Sequence, residues 1–314
     1  MPHRARRGAG QTGAVEELRE PDRSWFADQG RMRLRIWEWG DPDAPAVVCA
    51  HGAHDHGRMW DALAPRVAAL GHRVLCPDLR GHGDSGRPAS GHLWMASAVD
   101  LGLLARQSGP PVGFIGHSFG AGQVMFTAAV WPELVRWVVS LDGLGPPPAA
   151  FAAEAAGSLA AAAKAGLDGN ARVRARPPRV YPDLAEMVER RRRSNPRLPD
   201  PWLRHLVRHG AKRVEGGWSW KSDPVIDVGL PGPFDGDALD AQHRLLRAPL
   251  LVLTASEPDT WNEMSDEEKA ARLAHLPHAV HRAVPGAGHY VHSAQPDFVF
   301  AENEAFLAGL EAGA

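Results

Sequence analysis

Six short apolar runs recur along the chain: AVVCA (46–50), HRVLCP (72–77), VGFIG (112–116), VRWVVSL (135–141), PLLVLT (249–254) and AVHRAV (279–284). A strand with one wet face would alternate apolar and polar residues, so unbroken runs this short predict strands buried on both faces of a sheet. Helix-patterned stretches lie between them, at 58–70, where Trp60, Leu63, Val67 and Leu70 share a face, and at 92–107, 119–131, 265–275 and 295–310. Strand alternating with helix predicts an α/β fold whose mostly parallel central sheet is covered by helices on both faces. The start of the chain is different. SWFADQGRMRLRIWEWG reads as an antiparallel hairpin turning at Asp28-Gln29-Gly30, with Met32, Leu34 and Ile36 alternating against charged neighbours.

The alternation lapses between about residues 145 and 240, where alanine-rich, arginine-rich and tryptophan-bearing segments replace the apolar runs. A structureless stretch of that length is rare in a compact domain, so a mainly helical insertion is expected, entered through Pro146-Pro147-Pro148 and forming a lid. The expected division is a flexible tail at 1–22, a core at 23–145 and 240–314, and a cap at 146–239. Within the cap, the RRRR run at 190–193 has Glu186 and Glu189 at helical spacing and reads as a solvated helix face. Trp218 and Trp220 read equally as aromatic contacts for a ligand or as packing of cap on core.

A net charge of −2 gives no electrostatic case for a nucleic acid or an anionic membrane as partner. No apolar run approaches the roughly 20 residues that span a bilayer. The first 20 residues have arginines but no apolar core of a signal peptide, so a cytoplasmic location and a small-molecule ligand are expected. Cys49 and Cys76 each end an apolar run and read as buried free thiols.

Chemistry enters at Gly116-His117-Ser118-Phe119-Gly120, which directly follows VGFIG and opens a helical pattern. G-x-S-x-G between strand and helix is a nucleophile elbow: a strained turn exposes the serine oxygen, and small neighbours let the backbones pass. A serine hydroxyl needs a base to take its proton. Of sixteen histidines, His289 lies in the glycine-rich turn after the last sheet strand, on the edge where parallel strands present their carboxyl ends. His292 is the alternative base.

With GHSFG, the loop DLRGHGDSGRP (78–88) and GAGHYVH (286–292) on the page, the chain resembles the α/β-hydrolase fold superfamily with an inserted cap, over roughly 24–145 and 240–312. The resemblance implies a cofactor-independent, metal-free serine hydrolase with a Ser118, acid, His289 triad, and a structural role for the DLRGHGDSG loop. In most relatives the acid follows the strand matching PLLVLT as G-x-x-D. Here that position falls on Pro258, flanked by Glu257 and Asp259. Other members carry the acid after the preceding strand, where Asp142 fits without a gap, so all three carboxylates stay open.

The stretch HGAHDHG (51–57) looks at first like a metal cluster, but its spacing matches no helical ligand pair or Cys/His zinc framework. By resemblance it is the oxyanion loop, with the Ala53 and Phe119 backbone N–H groups as donors, His51 as a brace, and His54, Asp55 and His56 at the pocket rim or facing water. An ester, lactone or related acyl substrate follows, small and largely apolar. Haloalkane dehalogenases and epoxide hydrolases carry aspartate where this chain has Ser118. Carbon–carbon bond hydrolases and cofactor-free haloperoxidases of the fold keep the serine triad and remain alternatives, as does a non-catalytic ligand-binding member.

Overall fold

The computed structural model describes residues 18–30, 32–88, 92–145, 159–228, 236–261 and 264–313. The expected prolines at 146–148 and most of the alanine-rich stretch after them lie outside the described residues. Eight strands form one sheet: β1 (Arg23–Gln29), β2 (Met32–Trp39), β3 (Ala46–Ala50), β4 (Arg73–Pro77), β5 (Val112–His117), β6 (Val135–Leu141), β9 (Leu250–Ala255) and β10 (Ala279–Val284). Their spatial order is β1-β2-β4-β3-β5-β6-β9-β10, with β2 antiparallel to both its neighbours and every later pair parallel. The remaining two strands, β7 (Ala211–Val214) and β8 (Gly217–Trp220), pair only with each other in the segment between β6 and β9.

The period of two along each strand divides the core in two. Val47, Cys49, Val74, Cys76, Ile115, Leu251 and Leu253 face one side, while Val48, Ala50, Leu75, Phe114, Leu250 and Val252 face the other. The first side is covered by α1 (Ala64–Ala69) and the last helix, Pro296–Ala312; the second by α2 (Trp94–Gln107) and α3 (Phe119–Val130), through Leu101, Leu104, Val124 and Met125. Both cysteines are buried and unbridged. No described helix is long and apolar enough to cross a membrane.

Four expectations need correction. The helix expected over 58–70 is broken into a 3-10 turn at Gly57–Trp60 and α1, which begins one residue before Pro65. Proline preorganises a first helical turn but cannot sit inside a continuous ladder. The run AVHRAV is a strand, but as an edge strand it buries only Val284 fully, so it is not covered on both faces. Residues 18–22 of the expected tail are docked: Arg19 N–H donates to Asp61 O at 3.2 Å, Trp39 Nε1 donates to Arg19 O at 3.2 Å, and Leu18 packs on the core. Lastly, the expected boundary at 239/240 falls within a helix, Gly236–His243.

Between β6 and β9 the described residues form α4 (Leu159–Arg174), α5 (Leu184–Ser194), α6 (Asp200–Gly210), the β7–β8 ribbon and α7 (Gly236–His243). The start of α5 is set by Asp183, whose carboxylate accepts from Glu186 N–H at 2.9 Å. In α6, Trp202, Leu203, Leu206 and Val207 form one apolar face that joins the core cluster on the α1 side. Two further helices, α8 (Asp266–Leu273) and α9 (Val291–Ala294), precede the final α10 (Pro296–Ala312).

Candidate active site

The parallel register brings two chain turns side by side at the carboxyl edge of the sheet. Gly116 pairs with Ser140 and His117 with Leu141, so Ser118 and Asp142 leave adjacent strands at one level. Ser118 N–H donates to Leu141 O at 3.0 Å, and Asp142 N–H to Leu253 O at 2.7 Å. Three non-glycine residues among those described have positive φ: His54 at 63°, Ser118 at 52° and Asp142 at 46°. Such backbone is costly for residues with a Cβ and gathers at functional sites, and these three line two cavities that adjoin at Ser118. At the elbow, a Cβ on Gly120 would lie 2.2 Å from Ala50 O and 2.5 Å from His51 O, so only glycine lets α3 start this close to the loop after β3.

His289 arrives from the loop after β10. Its Nδ1 lies 2.7 Å from Asp142 Oδ2, and the other Asp142 oxygen accepts from Ala255 N–H at 2.9 Å. The three candidate carboxylates therefore differ in what they hold. Asp142 meets the imidazole. Asp259 Oδ2 accepts the His289 backbone N–H at 3.0 Å and its other oxygen accepts Thr260 N–H at 2.6 Å, while Glu257 faces Arg197 at 3.6 Å. Among the described residues no hydrogen bond joins Ser118 to His289; the two share the walls of two adjoining cavities. Such contacts are commonly loose before substrate binds.

His292, the other candidate base, is 2% exposed, has no hydrogen bond, and rests against Trp60 and His117 with ring centroids 5.0 and 4.8 Å away. Burial and the neighbouring His289 hold its pKa down at about 3. His117, inside the elbow motif, is fully buried, and its Nε2 lies 2.9 Å from His289 O, so its N–H fixes the backbone of the candidate base. Burial, with His289 next to it, keeps this imidazole neutral, its pKa well below the usual value. Motif reading did not reveal this role for His117. The signal was a second histidine inside the elbow, which only the packing interprets.

The HGAHDHG stretch does not bring its three imidazoles together. His51 Nδ1 faces Gly52 O at 2.7 Å and Nε2 accepts Leu79 N–H at 2.9 Å, bracing this loop on the DLRGHGDSG loop, and burial lowers its pKa to about 4. His54 is half-buried at the rim of one cavity. Asp55 and His56, expected at the rim or facing water, are buried at 2% and 4%. Asp55 pairs with Arg191 of α5, and His56 Nε2 lies 2.9 Å from Leu206 O of α6, so both dock the inserted segment. The solvated arginine face is corrected in the same way: Arg190 and Arg193 are exposed, but the Arg191 side chain is only 11% exposed and points inward.

The one group of histidines and carboxylates among the described residues close enough to share an ion is elsewhere, at Asp61, His205 and His209. There both Asp61 oxygens already accept from Arg58, at 2.6–2.9 Å, so the cation position is filled by a guanidinium.

The DLRGHGDSG loop is built as a structural knot. Asp78 accepts from Gly57 N–H at 2.7 Å, Trp37 Nε1 at 3.1 Å and Asp84 N–H at 2.8 Å. Arg80 grips Asp100 through two hydrogen bonds of 2.6 and 2.7 Å.

The two cavities meet at Ser118, Trp261 and His289. One, of about 250 Å³, is walled mainly by apolar side chains, including Trp94, Phe119, Met125, Leu144 and Leu239. The other, of about 400 Å³, contains the Gly52-Ala53 backbone with Arg190, Asn195, Trp220 and Tyr290. Ala53 and Phe119 thus flank Ser118, one from the loop after β3 and one from the first turn of α3, whose amides lack intrahelical acceptors.

Residues 47–302 match the profile of the Alpha/beta hydrolase family. The chain is 32% identical over 120 residues to Epoxide hydrolase A of Mycobacterium tuberculosis, covering 37% of each protein, so it spans little more than a third of that relative. It is 25% identical to 2-(acetamidomethylene)succinate hydrolase of Mesorhizobium japonicum over 86% of this chain and 90% of that one. Among solved structures, the thioesterase domain from the curacin biosynthetic pathway superposes with a TM-score of 0.75 at 20% identity, covering 89% of this chain and 98% of that domain.

Proposed function

The chain belongs to the Alpha/beta hydrolase family, and from that premise we propose that it is a cofactor-independent serine hydrolase acting on an ester, lactone or related acyl bond of a small, largely apolar substrate. The observation that carries this reading is the 2.7 Å contact between His289 Nδ1 and Asp142, on the sheet edge where Ser118 occupies a strained elbow. Ser118 Oγ attacks the acyl carbon while His289 Nε2 takes its proton, and Asp142 stabilises the imidazolium and fixes its tautomer. The carbonyl oxygen gains charge and accepts from the Ala53 and Phe119 N–H groups, which need no reorganisation. His289 then protonates the departing oxygen. Water, deprotonated by the same imidazole, attacks the acyl-enzyme, and the proton returns to Ser118.

The cavities suggest how substrate lies. The acyl group must stay while the alcohol leaves and water enters, so the smaller, apolar cavity suits the acyl chain and the wider, more polar one the leaving group. The segment 146–239 acts as the cap in this reading, with α5 and α6 covering the carboxyl edge.

A fluorophosphonate probe tests the proposal. Wild-type protein takes one label, mapped by mass spectrometry to Ser118, and hydrolyses chromogenic short and medium acyl esters; Ser118→Ala does neither while keeping its circular dichroism. A folded wild-type protein that takes no label supports a ligand-binding role instead.

A further inference from the structure

We propose that Arg191 is a positioning residue, a clamp from the inserted segment that holds the oxyanion loop and the catalytic-histidine loop in register. The inference rests on the serine-hydrolase reading above and adds a part to it that neither motif contains.

Arg191 leaves α5 and reaches into the crevice between the two loops. Its Nη2 donates to Asp55 Oδ1 and, at 2.6 Å, to Tyr290 Oη, while its Nη1 donates to His54 O at 3.4 Å. Tyr290 OH donates in turn to Asp55 Oδ2 at 3.0 Å, closing a ring of three side chains. Asp55 lies two residues beyond Ala53, and Tyr290 follows His289 directly. One guanidinium therefore touches, on one side, the turn whose Asp55 N–H to Gly52 O bond of 3.2 Å aims the Ala53 amide and, on the other, the neighbour of the proton-carrying imidazole.

Burial by itself works against the Arg191 charge, but the Asp55 carboxylate and the hydrogen bonds to Asp55 and Tyr290 offset it, so the guanidinium stays charged. Burial, with Asp55 beside it, pushes the Tyr290 phenol up, so it stays protonated and keeps its hydrogen to donate. A buried ion pair is a poor source of stability because desolvation consumes its attraction; its use is to fix one arrangement among several. Here the arrangement fixed is that of two loops that share no strand pairing: the oxyanion loop follows β3, the histidine loop follows β10, and these strands stand four places apart in the sheet. The clamp also comes from the segment that covers the site, so donors and base are in register only when that segment is seated.

The test compares Arg191→Gln, Arg191→Lys, Asp55→Asn and the Arg191→Gln/Asp55→Asn pair with wild type on one chromogenic ester, with Arg193→Gln as an exposed control. A small displacement of reacting groups costs on the order of 100-fold, so Arg191→Gln is expected to lower kcat by roughly 10- to 100-fold, with KM moving less than about threefold, and to slow fluorophosphonate labelling of Ser118 in parallel. Arg191→Lys restores part of kcat. The pair, which strands no charge, is no worse than either single change, the non-additivity of residues acting as one unit. Circular dichroism confirms folding, and should Arg191→Gln alone fail to fold, the neutral pair carries the comparison.

A folded Arg191→Gln protein, or neutral pair, with wild-type kcat and labelling overturns the clamp and leaves the serine-hydrolase reading intact. So does a loss confined to thermal stability. A wild-type protein that neither labels nor turns over any ester overturns both.

Discussion

At the scale of residues, two of the three candidate carboxylates divide the work of holding His289, and Glu257 takes no part in it. Asp142 meets the ring and Asp259 meets the backbone. Asp142→Asn should keep the hydrogen-bonded geometry but favour the wrong tautomer, lowering kcat on a chromogenic ester by about 10³- to 10⁴-fold. Asp259→Asn still offers an oxygen to the His289 N–H, and a loss of less than about tenfold is expected; equal losses would exclude Asp142 as the sole orienting acid. Ser118 and His289 were legible as candidates because a strained turn and a loop at a strand end impose local sequence requirements. The choice among Asp142, Asp259 and Glu257 was not, because it depends on the register of β5, β6 and β9 and on where an exposed ion pair with Arg197 takes Glu257. Asp55 was misread for the same reason: its partner lies 136 positions away, on a helix face that looked wholly polar.

Among elements, the contact that matters most is between the start of α3 and the loop after β3. Gly120→Ala puts a methyl group against two backbone oxygens, which cannot rotate away as a side chain could. Overpacking of this kind costs about 1–3 kcal/mol, and the displaced loop carries the Ala53 amide. A lowered urea midpoint together with a fall in kcat of the folded protein is expected; an unchanged midpoint would mean that the loop has room the geometry denies. Buried strands were readable almost to the residue, since runs such as AVVCA leave no polar face to misplace. The β7–β8 ribbon was not, because Lys212, Arg213 and Ser219 break any apolar run and the pair is held by its own turn.

For the whole molecule, buried neutral histidines dominate the response to acid. Burial lowers His51 and His243 to about 4 and His292 to about 3, and pushes His56, His82 and His117 well below their usual 6.5. As pH falls below 6.5 the unfolded chain takes protons that the folded chain refuses, so their stabilisation is complete above 6.5 and is lost toward 4 and below. Each such group contributes up to about 1.4 kcal/mol per pH unit in that window. Asp78 opposes them: burial raises it to about 6, so the folded state binds its proton first as pH falls from there toward 3.8. The histidines outnumber it. Urea midpoints should be level from pH 7 to 8 and drop steeply from 6 to 4.5; a profile flat down to pH 5 would show that these imidazoles are not held neutral.

The placing of Asp142 directly after β6 has a consequence for how the site tolerates change. In the proposed triad, Ser118 and Asp142 are spaced by the ladder between neighbouring strands, a fixed ruler, and no loop length enters that distance. The histidine is tethered separately, its backbone held by Asp259 and His117. Lengthening or shortening the connection after β10 would shift His289 while leaving Ser118 and Asp142 in place. That makes this connection an adjustable joint beside a fixed pair, and the place where a designer would retune reach without rebuilding the bench.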